Sequence, residues 1–143
     1  EQVRDFAQRF ITENELTDEQ LSVVTEPCRA LVDPGHLDQV LWNLCTNAHL
    51  HNDSAAINIE ISCWQSDRGT TIIDVSDNGR GISDMDRENL FEPFYSTHHA
   101  GTGLGLFIIR ELCEINKASI ESVPRDSGAH FRITLSAVQD MAA

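Results

Sequence analysis

Two asparagines, Asn43 and Asn47, stand four residues apart in the segment Asn43-Leu44-Cys45-Thr46-Asn47-Ala48. On a helix that spacing projects both carboxamides from one face. Their neutral oxygens suit Mg²⁺, which keeps most of its waters and takes few protein ligands. On their own, however, two asparagines on a helix are more often simply solvated. A second segment, Asp77-Asn78-Gly79-Arg80-Gly81, directly follows a strand-like run. Gly79 and Gly81 let the backbone turn sharply or approach a ligand closely. Asp77 at the strand end can accept a hydrogen bond from an exocyclic amine. A carboxylate there favours adenine over guanine, which presents a carbonyl acceptor at that position. The competing reading is an ordinary Asp-Asn-Gly hairpin turn.

Two further segments lie downstream. Gly101-Thr102-Gly103-Leu104-Gly105-Leu106 opens an apolar helix, and free N–H groups at a glycine-rich helix start make an anion site. A dinucleotide fingerprint would need glycine where Leu106 stands, and no strand feeds the segment. No Gly-Lys-Ser/Thr occurs, which excludes a P-loop, and the protein-kinase set lacks its strand lysine and H-R-D loop. Just before it, Phe91-Glu92-Pro93-Phe94-Tyr95 reads either as an aromatic cluster anchoring a loop or as the hinge of a lid.

The elements that must position these groups follow from periodicity. Residues 1–12 place Val3, Phe6, Phe10 and Ile11 near helical spacing. Residues 21–26 and 30–32 read as strand, with Pro27 marking an edge or bend. Asp33-Pro34-Gly35 starts a helix whose Leu37, Val40, Leu41, Leu44 and Ala48 follow the i, i+3, i+4, i+7 pattern. Residues 57–65 and 70–77 form a hairpin across Ser66-Asp67-Arg68-Gly69. A glycine-rich, charged loop leads to the helix over 104–115, and strands at 119–123 and 130–137 flank a turn containing Gly128. The pattern predicts an α/β two-layer sandwich: a mixed, mostly antiparallel sheet with helices on one face.

Composition narrows the function classes. The 143 residues fit one compact domain, and 41% hydrophobic with 23% charged residues is globular. A net charge of −13, with nine scattered arginines and Lys117 the only lysine, argues against nucleic acid as a partner. An acidic domain still binds phosphate where metal ions and backbone N–H groups supply the positive charge. Cys28, Cys45, Cys63 and Cys113 lack zinc spacing and suggest no disulfide framework, so reduced, partly buried thiols are expected. There is no signal peptide and no apolar run of about 18 residues. A chain that starts at Glu1 is expected to be a fragment of a longer parent.

Taken together and in order, NLCTNA, DNGRGI, FEPFY and GTGLGL resemble the N, G1, F and G2 boxes of bacterial sensor histidine kinase catalytic domains. Gly128-Ala129-His130-Phe131 looks like the last box of that family. The wider group, with gyrase, the mismatch-repair ATPases and a large chaperone, shares the Bergerat ATP-binding fold. The resemblance covers roughly residues 20–137. It implies that Asn47 binds Mg²⁺ and Asp77 binds the adenine amino group of ATP. Gly79, Gly81, Ile82 and Phe94 would belong to the nucleotide pocket, and Gly101, Thr102, Gly103, Leu104, Gly105 and Leu106 would wrap the phosphates. Asn43 stands where hydrolysing cousins carry a glutamate. A carboxamide cannot act as general base for water, so ATP is kept for a nucleophile brought from elsewhere, and Asn43 counts as the catalytic position.

The resemblance further implies residues 1–15 as the end of a linker or dimerisation helix and 16–143 as the catalytic domain. Its partners would be a dimerisation and histidine-phosphotransfer domain outside this chain and a response-regulator receiver domain. The location would be cytoplasmic, within a parent that can be anchored in the inner membrane. None of the six histidines sits in the helical His-Glu/Asp context of a phosphoacceptor. The chain departs from the family at three places. His98 and His99 stand where the lid usually has a lysine, and a pKa near 6.5 makes them mostly neutral at pH 7, which predicts ATP affinity rising toward pH 6. Asn116-Lys117-Ala118 replaces the usual glycine pair, as in type IV pilus and nitrogen-regulation sensor kinases. Ala129 replaces a frequent threonine. Two competing functions share the boxes: a serine kinase of the anti-sigma type, and a nucleotide-sensing module without catalysis.

Overall fold

The computed structural model describes residues 1–50, 56–95 and 104–136. In chain order the elements are α1 (Gln2–Glu13), β1 (Leu21–Thr25), α2 (Pro34–Leu50), β2 (Ile59–Gln65), β3 (Thr71–Asp77), α3 (Asp84–Asn89), α4 (Gly105–Ile115), β4 (Ser119–Ser122) and β5 (His130–Leu135). The five strands form one sheet in the order β1-β2-β3-β5-β4. Only β1 and β2 run parallel; every other pair is antiparallel. The sandwich is therefore the mixed α/β architecture that periodicity predicts.

Alternation decides which face is covered. Ile59 and Ile61 of β2, Ile73 and Val75 of β3, and Ile133 and Leu135 of β5 point to one side and are buried there. Against that side α2 lays Leu37, Val40, Leu41, Leu44, Cys45 and Ala48, its predicted stripe with Cys45 added. The first helix joins the same core. Phe6 and Phe10 are fully buried, and the ring of Phe10 meets Trp42 of α2 edge to face at 4.9 Å between centroids.

Two local expectations need correcting. Residues 30–32 are not a strand. β1 stops at Thr25 because Pro27 has no N–H for the ladder, and the chain crosses the end of the sheet, where the Thr71 hydroxyl donates to the Arg29 carbonyl at 2.9 Å. The loop after β3 contains the short helix α3. Its signal lies in Ser83-Asp84-Met85-Asp86: the Ser83 hydroxyl accepts from Asp86 N at 3.1 Å, and both aspartates sit at the positive end of the helix.

The Asn116-Lys117-Ala118 departure has a structural reason. Lys117 adopts φ of +55°, and the Ala118 and Lys117 amides donate back to the carbonyls of Cys113 and Glu114. That is a Schellman termination of α4 with lysine where glycine is cheaper. Asn116 justifies its own place. Its Oδ1 accepts from Asp33 N at 2.8 Å, and its Nδ2 donates to Leu112 O at 2.7 Å and lies 3.0 Å from Nδ1 of His36. A single carboxamide thus ties the end of α4 to the start of α2.

On the uncovered sheet face Asp74 is nearly buried among its neighbours. Its Oδ1 accepts from Arg132 Nε and lies against His130 Nε2, both at 2.8 Å, while Oδ2 accepts from Trp64 Nε1 at 3.1 Å. Burial pushes this carboxyl up, but the bonds from Arg132, Trp64 and His130 outweigh it and leave the group below its ordinary value. Since the folded value lies below the unfolded one, its stabilisation is fully present above about pH 4 and is lost as pH falls through the folded value. Asp74→Asn is expected to cost about 1–2 kcal/mol at pH 7. In urea titrations the gap to wild type should narrow progressively as pH falls below about 4; a gap that does not change with pH would assign the loss to packing instead of charge.

Candidate functional site

Asp77 closes β3, and its surroundings are built from three backbone segments that meet at one point. Its amide donates to Ala129 O at 3.0 Å, extending the β3–β5 ladder by one step. Its Oδ1 accepts from Gly79 N at 2.7 Å and from Ala129 N at 3.3 Å. These bonds hold the carboxylate in one orientation, and among the described residues no bond engages Oδ2. The arrangement suits an acceptor aimed at an exocyclic amine.

The approach of the segments is too close for side chains. Gly81 has φ of +80°, and a Cβ on it would lie 2.8 Å from the carbonyl oxygen of Gly128. Gly128 has φ of +73°, and a Cβ there would fall 1.8 Å from the carbonyl oxygen of Asp77. Both positions accept only glycine, for conformation and for space. Arg125, in the same turn, donates from Nη1 to Asp77 O at 3.4 Å. Gly128 and Arg125 are site-forming residues that the sequence left out of the pocket, whereas Ala129 was already expected beside it. The likeness of 128–131 to a family box was the signal for Gly128.

Asn78 rules out the plain hairpin turn. Its Nδ2 donates to Ala56 O at 2.7 Å and its Oδ1 accepts from Asn58 N at 2.9 Å, so it staples the loop to the entrance of β2. The chain then continues to α3, and β3 has β2 and β5 as its neighbours. Ile82 packs at the edge of the core, and its carbonyl accepts from Arg87 Nη2 at 3.1 Å.

The aromatic segment divides its work. Phe91 packs edge to face on Phe131 of β5 at 6.3 Å. The Tyr95 hydroxyl donates to Asp86 Oδ1 at 2.6 Å and binds the segment to α3, a bond that pushes the phenol up. Phe94 lies between them with φ of +67° and 76% of its surface exposed. Its ring stands outside the packed part of the site, and a positive φ is costly for a bulky residue.

On α2 the two carboxamides share a half-buried flank beside the Leu37–Leu44 stripe, and among the described residues neither is engaged in a hydrogen bond. Amide oxygens held this way fit a Mg²⁺ ion that retains most of its waters. No group of three or more His, Cys, Asp or Glu that could hold a metal occurs among the described residues. Leu104 caps α4, followed by Gly105 and Leu106 in its first turn. A Cβ on Gly105 would meet no described atom within 4 Å. The glycine is therefore not demanded by these contacts, and open space there fits a phosphate cradle. Gly101, Thr102 and Gly103 lie outside the described residues, as do His98 and His99.

Comparison with known proteins agrees with this geometry. Residues 32–139 match the family described as histidine kinase-, DNA gyrase B- and HSP90-like ATPase. The sensor protein kinase PilS of Pseudomonas aeruginosa is 39% identical over 109 residues, covering 72% of this chain and 20% of its own. The chain thus spans about a fifth of that curated relative. Among solved structures, the mycobacterial sensor histidine kinase MprB superposes with a TM-score of 0.81 at 20% identity, covering 94% of this chain and 92% of that one. Full-length ShkA, solved in complex with AMPPNP, gives 0.77 at 23% identity and covers 94% and 29%. The chain belongs to the histidine kinase-, DNA gyrase B- and HSP90-like ATPase family, as an ATP-binding catalytic domain of the sensor histidine kinase type.

Proposed function

We propose that the chain presents Mg-ATP to a histidine on a separate dimerisation and phosphotransfer domain of its parent, for relay to an aspartate of a receiver domain. The observation that carries this reading is the Asp77 carboxylate, fixed by Gly79 N and Ala129 N and open at Oδ2. Asp77 accepts from the adenine amino group, with Gly79, Gly81 and Ile82 around the base; Phe94, whose ring is exposed, would have to turn inward to join them. The segment 101–106, of which Leu104, Gly105 and Leu106 open α4, would wrap the phosphates. Asn47 would hold Mg²⁺, which supplies the positive charge that an acidic domain lacks. ShkA, a structure that contains this fold, was solved in complex with AMPPNP, which supports a nucleotide ligand.

Asn43 gives the chemistry its direction. A carboxamide takes no proton from water, so hydrolysis lacks its base and the γ-phosphate waits for an external nucleophile. The described histidines hold structural positions: His36 lies against Asn116, His130 against Asp74, and His49 is half-buried in the last turn of α2. These placements support an acceptor outside the chain. Residues 1–15 then form the end of the linker or dimerisation helix and 16–143 the catalytic domain. Phe6 and Phe10 dock that helix end on Trp42. No helix among the described residues is long and apolar enough to cross a membrane. We place the domain in the cytoplasm, where ATP is, with any inner-membrane anchor elsewhere in the parent.

Calorimetric titration with Mg²⁺ should show ATP binding without comparable GTP binding. Asp77→Asn replaces an acceptor oxygen by a donor and should weaken ATP by at least about 10-fold; equal affinities for ATP and GTP would remove Asp77 from base recognition. Gly128→Ala should destabilise the chain by about 3 kcal/mol, because Asp77 and the turn cannot both keep their places, and nucleotide affinity should fall with it. Mixed with the separately produced dimerisation domain of its parent and labelled ATP, the chain should give acid-labile histidine phosphate on that domain. Tight ATP binding without any transfer would favour a nucleotide-sensing module.

A further inference from the structure

The end of α4 meets the start of α2 through one carboxamide whose orientation is fixed twice over. Asn116 Oδ1 accepts from Asp33 N at 2.8 Å, and a backbone N–H can only donate. Asn116 Nδ2 donates to Leu112 O at 2.7 Å, and a carbonyl can only accept. Either bond alone decides which end of the amide is oxygen. The second Nδ2 proton is therefore the one that faces Nδ1 of His36 at 3.0 Å. Nδ1 must offer a lone pair there, so this arrangement requires the neutral imidazole with its proton on Nε2.

The surroundings set protonation against this joint. The half-buried ring borders a cleft walled by Val40 of α2, Leu112 of α4 and Ile133 and Leu135 of β5. Cys113 completes the wall, and burial pushes its thiol up to about 11 and keeps it uncharged. The charged neighbour is Asp33, whose Oδ1 accepts from His36 N at 3.0 Å; that bond holds the carboxyl below its ordinary value and keeps it ionised. Asp33 attracts an imidazolium, but a second proton on His36 removes the lone pair at Nδ1 and sets N–H against N–H. Asn116 cannot turn its oxygen to the ring without giving up both Asp33 N and Leu112 O. Protonation and the joint exclude each other.

We propose that His36 and Asn116 are positioning residues for the nucleotide site: neutral His36 holds Asn116, Asn116 holds α4 along α2, and protonation of His36 releases the joint. This rests on the reading in which Asn47 holds Mg²⁺ and the opening of α4 meets the phosphates. The two helices carry the effect. Eleven residues separate His36 from Asn47 on α2, and eleven separate Gly105 from Asn116 on α4, about 16 Å along each axis. Over that distance a helix moves as a rod, so slack at the joint becomes slack between Gly105 and Asn47. Phosphoryl transfer feels such misplacement, because positioning is most of what it asks of the protein. The sign follows from the lone pair: the joint is closed on the alkaline side of the histidine titration and opens as pH falls. This acid loss runs opposite to the rise expected from His98 and His99, so the two effects are separable.

The test compares the 143-residue chain with His36→Asn, whose side-chain oxygen takes the place of Nδ1 as acceptor and does not titrate. Nitrogen NMR should show neutral His36 protonated at Nε2. The Asp33 amide should be protected from hydrogen exchange at about pH 8, lose that protection at about pH 5.5 in the wild type, and keep it in His36→Asn. In calorimetric titrations with Mg-ATP, the affinity of the wild type relative to His36→Asn should fall by about 5-fold or more between the same two pH values. Comparison at one pH cancels the contributions of His98, His99 and the nucleotide itself. Asn116→Ala should weaken ATP at the higher pH and, combined with His36→Asn, erase the advantage of that substitution at the lower one. A proton on Nδ1, or an Asp33 amide equally protected at both pH values, would overturn the joint. A joint that opens while the affinity ratio stays constant would overturn the positioning role. Failure of every variant and of the wild type to bind ATP at either pH would sink the nucleotide reading, and the positioning role with it.

Discussion

The contact between the Asp77 carbonyl and the Gly128 backbone governs this molecule. With no room for a Cβ at Gly128 and little at Gly81, the Asp77–Gly81 loop and the distant turn at Gly128 are pressed together at the end of β3. Backbone amides from both then converge on one carboxylate oxygen. A carboxylate held by two amides cannot rotate, so its other oxygen faces a fixed direction, and that rigidity is what a recognition group needs. The antiparallel β3–β5 pairing brings Ala129 beside Asp77. The sheet order thus serves the site directly.

The rest of the architecture supports that junction from both faces. Beneath the sheet, α2 is set by its apolar stripe, and its last turns lead into residues 56–58, which Asn78 ties to the Asp77 loop. The Asn116 carboxamide locks the opposite end of α2 to α4, so the helix bearing Asn43 and Asn47 and the helix opening at Leu104 are positioned relative to each other by one side chain as well as by packing. Across the sheet, the Asp74 cluster bonds β2, β3 and β5 through Trp64, His130 and Arg132. A charge is tolerated there because every acceptor direction is occupied.

Neutral asparagines at positions 43 and 47 and the high negative charge of the chain have one consequence in common. The domain contributes few cations, so on the proposed reading charge on a phosphate ligand would be met by N–H dipoles and by a metal. On the proposed reading, a carboxamide at position 43 leaves water without a general base. In the proposed function such a module would hold and orient a phosphoryl donor until a nucleophile is brought to it.

Much of this was legible from residues alone. Hydrophobic periodicity located the predicted elements, because period 2 and period 3.6 are imposed by burying one face of a strand or helix. The spaced boxes singled out Asp77, Gly79 and Gly81. A capped turn of six residues buries nothing, which is why α3 lacked a periodic signal and only Ser83 betrayed it. The strand read at 30–32 failed because Ala30 and Val32 are apolar for packing at a crossing while Leu31 is exposed, and no ladder partner is recorded beside them among the described residues. Sequence by itself determined the element types, the acidic surface and the chemical repertoire, since these depend on local composition. Only the tertiary structure decided that Ala129 and Gly128 complete the Asp77 site and that Asn116 holds His36 and Asp33. Each of these contacts joins residues tens of positions apart through strand register or helix packing, which no local pattern encodes.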